Sequence, residues 1–248
     1  MMKLYFLSFL FLFMIFSCDE KEDPQLINLL KKGKQELDKE SYGSAKTFFF
    51  KALALKGEGE SKALVNRDLA YVYNQQGNQD SAFYYFDRGA DLSKEGSFIF
   101  YSCSIGASIC KREFKNALNL LNESYLIYPN QIEISNLLCA VYSGEYDDVF
   151  FDPENAEKFA KKAFELRPNR KSKEQLGRVY FQNEKYLNAA KLFSELVYSC
   201  PSNLFYQFYF GQALFFNGEE SRGIPYMKKA ASKNDSCLFM FNEIFSSK

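Results

Sequence analysis

A small residue returns along this chain at Ala45, Ala82, Ala117, Ala156 and Ala189, with Gly223 in the sixth place, at intervals of 37, 35, 39, 33 and 34 residues. A period in that range marks a chain built from supersecondary units that bury their apolar faces against one another. Four residues beyond each small residue stands a larger one: Phe49, Phe86, Leu121, Phe193 and Met227, with Ala160 the exception. That spacing places both on one face of a helix. A second set of small residues, Gly33, Ala70, Cys139, Gly177 and Gly211, precedes the first, and Tyr73, Tyr142 and Tyr180 follow three residues after their own member of it. Each period therefore reads as two helices, and no segment shows convincing strand alternation.

The clearest unit is Leu176–Asn203. Leu176, Gly177 and Tyr180 share one face of a first helix, Tyr186, Ala189 and Phe193 share one face of a second, and Pro201 stops it. Gly177 and Ala189 allow a close approach of two antiparallel helices, with Tyr180 and Phe193 expected to fill the space beside it. Pro129 and Pro168 repeat the stop. This unit resembles a tetratricopeptide repeat. The resemblance covers residues 26–234 and implies an all-α fold: a right-handed superhelix, or α-solenoid, of about six helix–turn–helix repeats. Residues 235–248, with "SCLFMFNEIF", would be a capping helix and tail over the last repeat. Departures fall at Lys32 and Glu36 in the first unit, Ile105 and Ser108 in the third, and Pro225 in the sixth. Terminal units of a solenoid are atypical because one face lacks a neighbour.

In the tetratricopeptide family the first helices line a concave groove that takes peptides or partner helices. Carried onto this chain, the resemblance implies groove positions at Arg67, Tyr71, Asn74 and Gln75 in the second unit. It implies Lys171, Glu174, Arg178, Phe181 and Gln182 in the fifth. Phe205, Phe208, Phe215 and Phe216 of the sixth would form an apolar end that either anchors a partner or meets the capping helix. The basic-and-asparagine clamp that some members use for acidic C-termini is not recognisable, since Leu30 and Ser102 occupy two of its slots. Between the helices of the fourth unit, residues 144–155 carry about five extra residues relative to the other units. Tyr146, Phe150 and Phe151 of that insertion either fold back onto the solenoid or contact a partner.

Composition narrows the chemistry. Lysine plus arginine equals aspartate plus glutamate at 31 each, and no histidine is present anywhere. The commonest general base and metal ligand is thus missing, and no basic excess points to nucleic acid. Cys103, Cys110, Cys139, Cys200 and Cys237 contain no C-x-x-C pair, which leaves zinc and redox motifs without support. They read as buried thiols, with Cys200–Cys237 and Cys103–Cys139 as the alternative bridges. "KGEGESKAL" at 56–64 lacks the spacing of a phosphate loop and reads as a loop between units. No cofactor, no metal and no catalytic constellation are expected.

The chain opens "MMKLYFLSFLFLFMIFSC". Lys3, a short uncharged apolar run and Ser17 form the layout of a secretory signal peptide over residues 1–17; the alternative is an uncleaved anchor, for which the run is short. "IFSC" resembles the bacterial lipobox, which implies a lipid on Cys18 and a solvated tether over residues 18–25. Asp19 resembles an inner-membrane retention signal and Lys21–Asp23 a surface-display signal; of these conflicting readings the outer membrane is the one adopted. The expected function is a membrane-anchored interaction scaffold or assembly subunit of the bacterial cell envelope, with an envelope protein or peptide as partner. In size and layout it resembles the repeat lipoproteins of outer-membrane β-barrel and pilus secretin assembly. The alternative is a transient peptide receptor or chaperone-like holder of exported chains.

Overall fold

The computed structural model describes residues 23–56 and 59–246. The leader, Cys18 and most of its tether lie outside the described residues. Thirteen α-helices among the described residues form six pairs and a single helix. The pairs are α1 (Pro24–Asp38) with α2 (Tyr42–Ala54), α3 (Glu60–Gln75) with α4 (Gln79–Leu92), and α5 (Phe98–Cys110) with α6 (Phe114–Ile127). They continue with α7 (Ile132–Tyr142) and α8 (Pro153–Leu166), α9 (Arg170–Gln182) and α10 (Tyr186–Ser199), then α11 (Leu204–Phe216) and α12 (Glu220–Ala231). The last helix is α13 (Asp235–Ser246).

Each element packs on its partner and on the next in sequence; α1 also touches α3, α3 touches α5 and α11 touches α13. Side chains link the middle first helices, Gln175 of α9 to Asn136 of α7 and Tyr206 of α11 to Glu174 of α9. Neighbouring second helices do not meet as closely. The closer row is the inner side of the curve, so the first helices line the concave face.

The periodic residues are the core. Ala45, Ala82, Ala117, Ala156 and Ala189 are buried, as are Phe49, Phe86, Leu121, Ala160, Phe193 and Met227. The contact differs in one detail from the sequence expectation. The Phe193 ring lies on Gly177 itself, where a Cβ would stand 3.0 Å from the ring edge, rather than beside it. Phe49 lies on Gly33 in the same manner. In the third unit, where Ile105 fills the small slot, Gly106 receives the Phe86 ring of the preceding unit. The sixth unit brings backbone to backbone: a Cβ on Gly211 would stand 2.6 Å from the Gly223 carbonyl. Pro225 lies inside α12 without ending it.

A second recurrence is only half marked in the sequence, by three glycines. The turn joining each pair holds one left-handed residue: Glu40, Gly77, Arg112, Gly144, Glu184 and Gly218, with φ between 58° and 87°. The amide after it reaches back five residues in every case, as in Lys185 to Tyr180 at 2.8 Å and Glu219 to Leu214 at 2.9 Å. These bonds satisfy the orphan carbonyls at the end of the first helix. Three of the six positions are not glycine, and the left-handed conformation costs such residues roughly 1–2 kcal/mol each. The following helices start on side-chain caps at Asn78 and Asp152, and the first helices at Asp23, Ser97, Asn169 and Asn203. At the end of α2 a buried lysine acts instead: Lys62 donates to the carbonyls of Ala52, Leu53 and Leu55 at 2.9, 2.7 and 2.6 Å.

α13 closes the last unit. Cys237, Met240, Phe241, Ile244 and Phe245 cover Phe208, Phe215, Met227 and Ala230. Phe208 is fully buried and Phe215 nearly so, which corrects their placement in the groove: the cap covers them. The five cysteines of the described chain are free, and neither bridge forms. Burial pushes the Cys103 and Cys139 thiols up to about 12.

Two substitutions separate these contacts from generic helix packing. Gly223→Ala forces a methyl into the α11 backbone and should lower stability by about 1–3 kcal/mol. Glu184→Gly relieves a left-handed turn and should raise it by about 0.5 kcal/mol after the added unfolded-state entropy of glycine. Urea unfolding of both variants checks the pair.

Candidate binding surface

The concave face is a row of first-helix side chains, and several of its polar groups are already bonded, some to the neighbouring unit and some within their own. Arg67 grips its neighbour Asp68 through Nη2 at 2.8 Å and Nε at 3.1 Å. Asp68 is buried, and Lys34 of α1 stands 3.7 Å from its other oxygen. Glu174 accepts from the Tyr206 hydroxyl at 2.9 Å. Burial and that bond push the Tyr206 hydroxyl up to about 12. Gln182 donates to the Ser143 carbonyl at 3.3 Å, and Gln175 to Asn136 at 3.2 Å. Arg178 stands 3.9 Å from Glu145. Asn74 accepts from Gln79 at 3.1 Å.

The side chains left open are fewer. Tyr71 is 41% exposed, and burial of its ring, followed by Tyr42 and Glu40 nearby, pushes its hydroxyl above the ordinary value. Gln75 and Lys171 are exposed. At the sixth unit Phe205 and Phe216 remain open at 39% and 43%, unlike Phe208 and Phe215. Phe216 also stacks on Tyr186 at 5.5 Å, and Phe181 meets both edge-on at 5.3 and 5.6 Å. This triad joins the fifth unit to the sixth at the rim of the concave face.

The insertion divides its aromatics. Tyr146 packs on Phe114 at 5.7 Å, and Phe150 joins the same core from the 3-10 turn Asp148–Phe150. Phe151 and Val149 point outward, 49% and 83% exposed. Asp147 and Phe150 form one wall of an open depression of about 510 Å³ whose other wall is Arg112, Phe114, Asn116 and Asn119. Tyr146 and Phe150 thus fold back onto the solenoid, while Phe151 stays open to solvent.

One charged centre escaped the sequence reading. Glu157 of α8 is buried and accepts from Lys161 and Lys185 at 2.7 Å each and from Asn183 at 2.9 Å. Burial alone would raise its pKa, but the three donors outweigh it and hold the carboxyl at about 2. The group binds α8 of the fourth unit to the α9–α10 turn of the fifth. No signal in the sequence marks it, because glutamate near lysine is common on every solvated helix.

No protein-family model matches this sequence, and no curated protein matches it either. Solved structures do. TTC0263, a thermophilic tetratricopeptide-repeat protein of Thermus thermophilus, is 17% identical, with a TM-score of 0.62 over 77% of this chain and 99% of that one. The chain has the tetratricopeptide-repeat fold. PilF of Pseudomonas aeruginosa superposes at a TM-score of 0.65 over 90% of this chain and 98% of its own, at 14% identity. YrrB, a repeat protein with an unusual peptide-binding site, gives 0.56 over 73% and 92%, at 14% identity. The repeat solenoid seen here is therefore shared at the level of fold.

The Glu157 centre has a pH signature. A carboxyl held at about 2 against roughly 4.3 in the unfolded chain adds stability above pH ~4.5 that is lost as pH falls toward 2. Glu157→Gln should cost about 1–2 kcal/mol near neutral pH, the half-exposed lysines being resolvated. The difference between variant and wild type should shrink below pH 4, as measured by thermal unfolding across pH.

Proposed function

We propose that this chain is a lipid-anchored scaffold of the bacterial cell envelope that holds one folded partner on its concave face. The observation that carries the reading is the mutual bonding of the inner row. Gln175 is committed to the Asn136 carbonyl of α7 and Gln182 to the Ser143 carbonyl at its C-cap, Arg67 to Asp68, and Glu174 to Tyr206. An extended peptide is held largely through its main chain, which needs free donors and acceptors on the receptor. A partner with its own folded surface needs shape, and the open Tyr71, Phe205 and Phe216 offer aromatic anchors of the kind that dominate such interfaces. We infer a non-catalytic role from the tetratricopeptide-repeat fold that the chain shares with TTC0263 and PilF.

The anchor rests on the sequence. Ser17 and Cys18 follow the apolar run, and no described helix is long and apolar enough to cross a membrane. Bacterial lipidation attaches more than one chain, as stable anchoring requires. The outer membrane is the site this reading assigns. The peptide-holder alternative draws on the still-exposed Arg178 and Lys171.

Fractionation of cells expressing wild type and Cys18→Ser tests the anchor. Wild type should sediment with membranes and carry a lipid-sized mass increment at Cys18, while the variant should be recovered in the soluble fraction. Retention of the variant would contradict the reading. Micromolar, salt-sensitive binding of short peptides that is lost in Arg178→Ala would favour the holder instead.

A further inference from the structure

The outer row carries an aromatic cluster that the concave-face reading does not use. On α4, Tyr85 stacks on Tyr73 at 5.4 Å and meets Tyr84 edge-on at 5.0 Å and Phe50 of α2 at 6.3 Å. Phe50 is 42% exposed and Tyr84 60%. Lys46 lies 4.9 Å over the Tyr73 ring. Phe50, Tyr84 and Tyr85, with Leu53, Leu92 and Arg88, wall a dish of about 320 Å³ floored by Lys62. Lys62 itself is spent on the three carbonyls ending α2. Rings with polar tips, flanked by long cations, are the composition that settles at a bilayer interface, where the ring is half-buried and the charge stays wet.

The chain enters the fold beside this dish. Leu26 and Leu30 in the first turns of α1, which begins at its N-cap Asp23, share one core with Leu53, Leu55 and Tyr85, all three of which line the dish. Residues 19–22 alone separate Asp23 from Cys18, and a chain of that length reaches no more than about 18 Å even when fully extended. A lipid at Cys18 therefore holds the first two units close to the bilayer, with the dish next to the point of attachment.

We propose that the outer face of α2 and α4, around Phe50 and Tyr84, rests in the headgroup region of the membrane that holds the Cys18 lipid. The proposal rests on the anchor read above. It gives the tether a second contact, which turns a loose attachment into a fixed orientation with the concave face directed away from the bilayer. Charge on this face is mixed: Lys46, Lys51 and Arg88 stand among Asp87 and Asp91. Ring burial, more than attraction to anionic lipid, makes the contact.

The chain has neither tryptophan nor histidine, which suits a direct test. Tyr84→Trp places a sole tryptophan in the dish, and Tyr198→Trp places one at a position 90% exposed on α10. The chain from residue 19 onward, with an N-terminal hexahistidine tag, is held on phosphatidylethanolamine–phosphatidylglycerol vesicles by a nickel-chelating lipid. This supplies an anchor at the place of Cys18 whether or not the host lipidates it, so the two readings fail separately. Relative to unbrominated vesicles, lipid brominated near the headgroup should quench Tyr84→Trp by about two-fold and leave Tyr198→Trp nearly unchanged. Phe50→Trp should behave as Tyr84→Trp does and replaces it if that variant misfolds. Unquenched tryptophan at both dish positions on vesicle-bound protein would overturn the proposal, including in favour of a protein partner at this face. Equal quenching of Tyr198→Trp would overturn it too.

Discussion

An aromatic ring lying on a residue with no side chain decides how near two helices can come, and the rest of this structure follows from that contact. Phe49 on Gly33 and Phe193 on Gly177 each lock one pair, and Phe86 on Gly106 locks one pair to the next. A solenoid has no central core to compensate for a loose pair, since each unit is buried only by its neighbours. The left-handed turn within each pair fixes the second dimension by reversing the chain in one residue. Together they set a row of first helices whose side chains must meet those of the units on either side.

That meeting explains the character of the concave face. Crowded side by side, its polar residues satisfy one another: Gln182 and Gln175 reach the preceding first helix, Tyr206 reaches Glu174, and Arg67 turns onto Asp68. Buried polar groups without partners are costly, so the network keeps the face rigid before any partner arrives. Preorganisation of this kind lowers the ordering cost of association. The open aromatics at its two ends, Tyr71 and Phe205 with Phe216, are then the contacts left to spend on binding.

The sequence made the repeat legible because its signal is steric. Every periodic alanine and its larger companion is buried, as only small and large residues in register allow. Phe208 and Phe215 could be read from the sequence as groove or as cap contact, for an equally physical reason. α11 reads "LFYQFYFGQALFF", apolar all round, so periodicity cannot tell its inner face from the face under α13. Glu40, Arg112 and Glu184 adopt left-handed turns that glycine would have announced. Glu157 stayed hidden because its donors come from Lys161 on its own helix and from Asn183 and Lys185 a unit away. Long-range polar contacts leave no period to read.

Cross-linking in intact cells, followed by mass spectrometric mapping on wild type and Cys18→Ser, tests the central claim that one partner sits on a membrane-held concave face. The account predicts a single stoichiometric envelope partner, linked through Lys171 and its inner-face neighbours, and lost when Cys18 is replaced. A scatter of unrelated exported chains, linked without preference for the inner face and indifferent to Cys18, would contradict it.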